Sequence, residues 1–218
     1  MGTAEDHPDT GPVFVIDIDG GVSTLRRRPN IDVKQVRRVK DLVDAHRILY
    51  NAIPSNGKEK FPYGTVAIDT ISELQSLDLV EVMHGFARTN DKIDKDIPDQ
   101  RGYGKSGAHM RDIIRIFRDL PCNVIFCAHA QYERDNNMRL MTQPKLVGKM
   151  RTEVAGFLDI VGYYRAEADG DSVRRLMQFR GTSTTIAKDR TGAFEPVEIN
   201  PTIPILWEKL QQYNKGEK

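Results

Sequence analysis

The sequence has little cysteine, few aromatic residues and no long apolar run. It contains two cysteines and one tryptophan, and aromatic residues make up 7% of its 218 residues. Cys122 and Cys127 lie in one apolar segment at positions that face opposite sides of a strand, so we expect free thiols and a reducing compartment. No apolar segment approaches the roughly 20 residues of a membrane-spanning helix, and no signal segment opens the chain. These absences exclude a disulfide scaffold and predict a soluble, cytoplasmic protein.

Charge and composition indicate a globular protein without a strong overall field. Hydrophobic residues make up 39% and charged residues 29% of the chain, and the formal net charge is +1. Any contact with nucleic acid must therefore come from local patches. The polar start, residues 1–11, predicts a disordered tail, and residues 12–213 have the length of a single domain.

The arrangement of apolar residues predicts alternating strands and helices. Continuous runs rich in Val, Ile and Phe predict strands buried on both faces at residues 13–18, 65–68 and 123–128. Helical spacing between them places apolar stripes over residues 36–48, 74–82 and 110–117, and Thr70 with Glu73 forms a capping box. The pattern predicts an α/β fold with a mostly parallel sheet.

The rest of the chain breaks this rhythm. Residues 88–107 are polar and rich in glycine, which predicts a long mobile loop. The other predicted elements are a hairpin over residues 131–141, a helix near 148–158, strands at 160–164, 174–179 and 184–187, and a helix over 203–213.

Polar residues follow all three apolar runs, at the strand ends where open α/β sheets hold their ligands. Asp17 and Asp19 point the same way from the first strand, which suits a metal or a general base, with turn capping by Asp17 as the alternative. Asp69 and Thr70 end the second run. Such an acid holds the water shell of Mg²⁺ in nucleotide enzymes, although a helix cap is equally compatible. His129 ends the third run and by itself indicates no chemistry.

The order of these motifs, completed by Thr185-Ile-Ala-Lys188-Asp-Arg190-Thr-Gly192, resembles the RecA-like P-loop ATPases. The likeness covers roughly residues 12–200 and is greatest to phage nucleotide-binding proteins with an AAA-type ATPase domain, including RecA-like single-strand annealing proteins. It implies a RecA-like three-layer sandwich with a mostly parallel central sheet and an antiparallel C-terminal hairpin extension. It also implies a role in DNA recombination, annealing or replication inside a phage-infected or prophage-carrying bacterial cell.

The resemblance implies a role for each matching residue. Asp69 corresponds to the acid that orders Mg²⁺ through water, with Thr70 beside the nucleotide, and Asp19 to the acid that orients the attacking water. His129 corresponds to the sensor of the γ-phosphate. Lys188 and Arg190 correspond to cations that reach a neighbouring subunit's ATP, which implies a homo-oligomer. Residues 88–107 and 131–143 correspond in position to loops that contact single-stranded DNA.

One family feature is missing from the sequence. The strand, Gly-x-x-x-x-Gly-Lys-Ser/Thr loop and helix that open these proteins span roughly 30 residues, and only Met1 to Gly11 precede the first strand here. That loop provides most of the grip on the phosphates. We therefore expect weak ATP binding and no hydrolysis by this chain alone, and unpaired strand edges where the missing strand would lie.

Two other patterns lead to different interpretations. The Gly-Lys-Ser at Gly104–Ser106 lacks the earlier glycine, because Asp99 occupies that position, and it follows a polar segment, so it does not predict a P-loop. Asp17-Ile-Asp19-Gly20 resembles the opening of haloacid-dehalogenase-type phosphatases, which would make Asp17 the nucleophile and Asp19 the acid/base. A non-catalytic RecA-like module that binds DNA or a protein is the remaining alternative.

Overall fold

The computed structural model describes residues 1–25, 27–55 and 59–216. Residues 12–213 were expected to form one domain, which stays a prediction. The residues group into two compact units. The first contains Met1–His129 with Leu146–Met150, and the second contains Ala130–Lys145 with Arg151–Lys218. Within the described ranges, no helix is both long and apolar enough to span a membrane.

The first unit is built on a four-stranded parallel sheet. Its strands are β1 (Val13–Asp17), β2 (Ile31–Gln35), β3 (Thr65–Asp69) and β4 (Asn123–Phe126). The strand order is β2-β1-β3-β4, and all neighbours run parallel. The continuous apolar runs of β1 and β3 are buried almost throughout, whereas all four residues of β4 are only half-buried. Among the described residues, no strand pairs with the outer edge of β4.

The sequence pattern misses β2 because this edge strand has a polar sequence, Ile-Asp-Val-Lys-Gln. Its five residues pair in parallel with β1, from Ile31 opposite Val13 to Gln35 opposite Asp17. An edge strand buries little of its surface, so it does not need the apolar run by which central parallel strands are recognised.

Three helices accompany the parallel sheet: α1 (Val39–Asn51), α2 (Ile71–Thr89) and α3 (Gln100–Arg118). The predicted loop over 88–107 is shorter than expected, because α2 continues to Thr89 and α3 begins at Gln100, which leaves residues 90–99 between the helices. The sequence pattern hides this first part of α3, since small residues there replace the usual large apolar ones. A Cβ atom at Gly102 would lie 2.6 Å from the sulfur of Met83, so glycine allows the two helices to approach closely. The Gly-Lys-Ser of this segment lies inside the helix and forms no phosphate-binding loop.

The first eleven residues are also more ordered than the sequence suggests. Gly2–Asp6 forms a 3-10 helix, and the side chain of Ala4 is fully buried. Thr10 donates its hydroxyl hydrogen to the carbonyl of Ala4 at 2.6 Å, and Arg28 pairs with Glu5 at 2.9 Å. These contacts replace the predicted disordered tail, and their polar character explains why the composition did not reveal them.

The second unit is mainly antiparallel. Its elements are β5 (Ala130–Arg134), β6 (Leu140–Pro144), α4 (Met150–Phe157), β7 (Ile160–Val161), β8 (Tyr163–Asp169), β9 (Ser172–Gln178), β10 (Lys188–Asp189), β11 (Val197–Ile199) and α5 (Ile203–Asn214). Helix α4 begins with the last residue of the first unit, and its other residues belong to the second. The β5–β6 hairpin, α4 and α5 confirm the sequence predictions. The predicted strand over residues 184–187 is wrong, because that segment forms one isolated bridge from Thr185 to Thr142.

A three-stranded sheet in the order β11-β9-β8 forms most of this unit. The hairpin of β8 and β9 turns at Gly170, whose φ is 62°, a backbone conformation that glycine adopts without steric strain. The polar sequence of β8 extends the strand to Asp169, beyond the end expected at residue 164, and β11 is not apparent from the sequence. A mostly parallel sheet in the first unit and antiparallel strands in the second confirm the predicted fold class.

Candidate functional site

The chemistry-bearing residues of the first unit follow the carboxyl ends of its parallel strands. Asp17 lies opposite Asp69 in the register of β1 and β3. The chain runs from β1 to β2 on one side and then crosses to β3 on the other side of β1. Open α/β sheets bind their ligands beyond the carboxyl ends of the strands where the connections diverge in this way. The topology therefore places the candidate site beside the ends of β1 and β3.

Asp19, Thr70 and His129 form one connected group at this edge. Asp19 Oδ1 accepts hydrogen bonds from the amide of Thr70 at 3.2 Å and from its hydroxyl at 3.0 Å. Asp19 Oδ2 lies 2.9 Å from His129 Nε2. The imidazole side chain is 55% exposed and the Asp19 side chain is 23% exposed. Residues from three separate strand ends thus form a carboxylate–imidazole pair that is open on the histidine side.

The first turn of α2 holds this group in place. The Thr70 hydroxyl accepts a hydrogen bond from the Glu73 amide at 3.2 Å, which is one of the two bonds of the predicted capping box. The Thr70 amide, which the Glu73 side chain would bind in such a box, donates to Asp19 instead. The Ser72 hydroxyl accepts the amide hydrogen of His129 at 3.0 Å. The role of Ser72 was not expected from the sequence, although its position two residues after Thr70 was the available signal. One helix start therefore positions both the aspartate and the histidine.

The side chain of Asp17 has a structural role, because it caps the turn that follows β1. Its side chain is almost fully buried, and Oδ1 accepts hydrogen bonds from the amides of Gly20 at 2.9 Å and Gly21 at 3.2 Å. Its other oxygen, Oδ2, is buried and has no hydrogen-bond partner. The carboxylate thus caps the turn that carries Asp19, as the alternative interpretation stated. A buried oxygen is not accessible to a phosphate ester, so the geometry does not favour Asp17 as a phosphatase nucleophile.

Asp69 ends β3 in a half-buried position among other acids. Burial raises the pKa of its carboxyl, and the negative charges of Asp19 and then Asp17 raise it further. The thiol of Cys127, whose own pKa burial raises to about 11, donates to this carboxylate and partly opposes the effect. A cation beside Asp69 would relieve the repulsion among these acids, so the residues fit Mg²⁺ held through water. Among the described residues, no group of three His, Cys, Asp or Glu side chains could bind a metal directly.

Lys188 and Arg190 lie in the second unit, at the end of α4. The Lys188 ammonium donates to the carbonyls of Ala155 and Leu158. Arg190 donates to the Gly156 carbonyl at 3.2 Å and to Asp159 at 3.1 Å. Burial, and then the nearby Arg190 charge, lower the pKa of the Lys188 ammonium. Both cations therefore occupy the C-terminal end of a helix, where unpaired carbonyls favour positive charge.

Comparison with known proteins identifies the family to which this geometry belongs. A family model described as an AAA domain matches residues 4–191, which is most of the chain. No curated protein matches the sequence. The matched region includes the parallel sheet, the Asp19–Thr70–His129 group, Asp69, and both cations of the second unit. The chain therefore belongs to the AAA domain family of P-loop-like, nucleotide-binding NTPases.

Proposed function

We propose that this chain is an ATP-binding, RecA-like NTPase module of phage type that acts on DNA during recombination, annealing or replication. The observation that carries the proposal is the joined group of Asp19, Thr70 and His129 beside Asp69, at the carboxyl edge of a parallel sheet. Ligands of open α/β sheets bind at this edge. Family membership supports a nucleotide as the ligand, since the matched domain is of a nucleotide-binding type.

Each residue has a distinct part in the proposed site. Asp69 would hold Mg²⁺ through water, and that ion would neutralise charge on the phosphates. Thr70 lies next to it, and Asp19 and His129 would face the terminal phosphate and the attacking water. Lys188 and Arg190 would reach the nucleotide of a neighbouring subunit in a homo-oligomer. To do so they must leave the α4 carbonyls, and the phosphates would replace those acceptors.

The β5–β6 hairpin is the proposed contact for single-stranded DNA. Tyr132, Leu140 and Met138 are exposed on or beside its strands, and Arg134 is exposed on the same strand as Tyr132. An exposed aromatic ring can stack on a base while an arginine contacts the phosphate backbone. This combination supports a sequence-tolerant contact with single strands. A protein with these partners would work in the cytoplasm of a bacterial cell that carries the phage.

A non-catalytic DNA- or protein-binding module is the second candidate. One observation favours it, namely that Lys188 and Arg190 are engaged by α4 within their own unit. A module of this kind would bind single-stranded DNA in a salt-sensitive manner, with the same affinity whether ATP is present or not.

Nuclear magnetic resonance of the full chain tests the first proposal. We expect Mg–ATP at millimolar concentration to shift amide signals that cluster at Asp19, Thr70 and His129. The variant Asp69→Asn should abolish the Mg²⁺ dependence of these shifts. Asp112→Asn is the matched control, because Asp112 is an exposed aspartate on α3 with one surface ion pair.

Three outcomes separate the candidates. Shifts confined to other surfaces, or full Mg²⁺ dependence in Asp69→Asn, would contradict the proposed site. Absence of any ATP-induced shift, combined with salt-sensitive binding of a labelled oligo-dT strand, would favour the non-catalytic module. Binding of the same strand that strengthens or weakens with ATP would support the NTPase.

A further inference from the structure

We propose that Asp19 is a positioning residue for His129, and that His129 presents the free nitrogen Nδ1 to the reacting water. The resemblance implied that Asp19 orients the attacking water and that His129 senses the phosphate. Here water activation passes from Asp19 to His129, and Asp19 holds the imidazole in place. The reaction part rests on the proposed function. The positioning part concerns only the residues of this chain and can be measured without nucleotide.

The two oxygens of Asp19 are already engaged. Oδ1 accepts both the amide and the hydroxyl hydrogen of Thr70, and Oδ2 faces His129 Nε2 at 2.9 Å. The carboxyl group is also the more buried partner of the pair, with 23% of its side chain exposed. A water oriented by Asp19 would have to compete with the imidazole and with the start of α2. Its contacts therefore suit holding another group better than binding a water.

His129 has the opposite environment. More than half of its side chain is exposed, and within the described part of the chain no group forms a hydrogen bond with its Nδ1. A carboxylate oxygen has no proton to donate and repels the lone pair of an unprotonated ring nitrogen, so the 2.9 Å separation from Asp19 Oδ2 favours the proton on Nε2. In the neutral ring the other nitrogen then carries a lone pair. The Ser72 hydroxyl also accepts the backbone amide hydrogen of His129, so this residue is held both at its backbone and at ring nitrogen Nε2.

These contacts define where the proton of the attacking water goes. During hydrolysis the water oxygen forms a bond to the terminal phosphorus, and the bond from that phosphorus to the bridging oxygen of the leaving diphosphate breaks. The proton of the water passes to His129 Nδ1. Asp19 stabilises the imidazolium that results and keeps its ring oriented. General bases positioned in this way typically contribute ~10²- to 10⁴-fold to the rate.

The tautomer distinguishes this role from that of a phosphate sensor. With Nε2 on Asp19, the ring can donate to a phosphate only if Nδ1 also carries a proton. A base therefore needs an unprotonated Nδ1 and a sensor needs a protonated one. The chain contains an internal reference, because His109 faces Asp78 Oδ1 through Nδ1 at 2.8 Å. That histidine should carry its proton on Nδ1.

Imidazole ¹⁵N spectra of the full chain test the positioning. For the neutral rings we expect His129 as the Nε2–H tautomer and His109 as the Nδ1–H tautomer, with signals assigned through His129→Gln and His109→Gln. Asp19→Asn should mix the two tautomers of His129 and leave His109 unchanged. A doubly protonated His129 would overturn the base role. A His129 tautomer that does not respond to Asp19→Asn would overturn the positioning.

Nucleotide experiments test the reaction part separately. Mg–ATP should shift the Nδ1 signal of His129 more than the Nε2 signal. If the native chain turns over ATP, His129→Gln and Asp19→Asn should each reduce turnover by ~10²-fold or more, and the double variant should lose no more than either single one. Additive losses would contradict a shared role. A chain that neither binds nor hydrolyses ATP would overturn the proposed function and the base role, while the tautomer spectra would still decide the positioning.

Discussion

Replacing Thr70 with alanine should destabilise the first unit by more than the loss of an ordinary helix cap. The Thr70 side chain is buried and makes two hydrogen bonds. It accepts from the Glu73 amide at 3.2 Å and donates to Asp19 Oδ1 at 3.0 Å. Alanine removes both. The second bond is the direct link between the helix cap and the carboxylate of the candidate site.

The expected magnitude follows from the two contacts. Loss of a threonine cap typically costs about 1 kcal/mol. Loss of a hydrogen bond to a charged group costs roughly 1.5–3 kcal/mol. Thr70→Ala should therefore reduce the free energy of unfolding by about 2.5–4 kcal/mol, which corresponds to a fall in Tm of at least 5 °C for a protein of roughly this size. Thr70→Ser keeps the hydroxyl and should lose less than ~1 kcal/mol, the contribution of one methyl group.

The second unit supplies the matched control. Thr202 caps α5 by accepting from the Ile205 amide at 3.4 Å, and its hydroxyl contacts no carboxylate among the described residues. Thr202→Ala should therefore cost only about 1 kcal/mol. Native-state hydrogen exchange gives the opening free energies of α2 and α5 in the same sample, so each substitution is compared within its own unit.

A double-mutant cycle locates the additional cost of Thr70→Ala. In an Asp19→Ala background, Thr70→Ala should cost about 1 kcal/mol, since only the cap is left to lose. Equal costs for Thr70→Ala and Thr202→Ala in the native background would refute the reasoning, because the bond to Asp19 would then contribute nothing. An unchanged cost in the Asp19→Ala background would do the same.

Two further predictions concern charges elsewhere in the structure. Because burial and neighbouring acids raise the folded-state pKa of Asp69, the native state holds its proton more tightly than the unfolded state. The stability that Asp69 contributes is therefore complete below its unfolded pKa, about 4, and is lost as pH rises through the folded pKa. Asp69→Asn should stabilise the protein at neutral pH, and urea unfolding below pH 4 should show no such gain. In the second unit, Lys209 donates to both oxygens of the largely buried Glu198 at 2.7 Å. Lys209→Met should reduce the free energy of unfolding by roughly 2–3 kcal/mol, and adding Glu198→Gln should recover most of that loss. Trp207 fluorescence during urea unfolding measures both changes. A double variant as unstable as the single one would contradict this account.

Much of the fold and part of the site were predictable from local pattern. Strands buried on both faces must be continuously apolar, so β1 and β3 were recognisable in the sequence. The apolar run of β4 was recognisable in the same way, although its residues are only half-buried. Carboxyl ends of parallel strands share one edge, so Asp19, Asp69 with Thr70, and His129 were expected there together. The β5–β6 hairpin and the cap of α2 likewise follow from residues close in sequence.

Several elements carried no such local signal. Edge strand β2 and strand β8 are polar, because strands that bury little surface do not need apolar runs. The start of α3 uses glycine and serine where α2 approaches closely, and this composition is indistinguishable from that of a loop. The first eleven residues pack through polar contacts to Arg28 and to one another, which composition alone does not reveal.

The sequence by itself determined which residue types stand at the strand ends, because periodicity and strand chemistry are local properties of the chain. Only the tertiary structure decided how those residues are used. Asp17 and Asp19 are two positions apart, yet the buried carboxylate of one caps a turn and the other contacts an exposed imidazole. Lys188 and Arg190 acquired carbonyl partners at the end of α4. Exposure and pairing depend on segments far apart in sequence that meet only on folding, so no local pattern contains them.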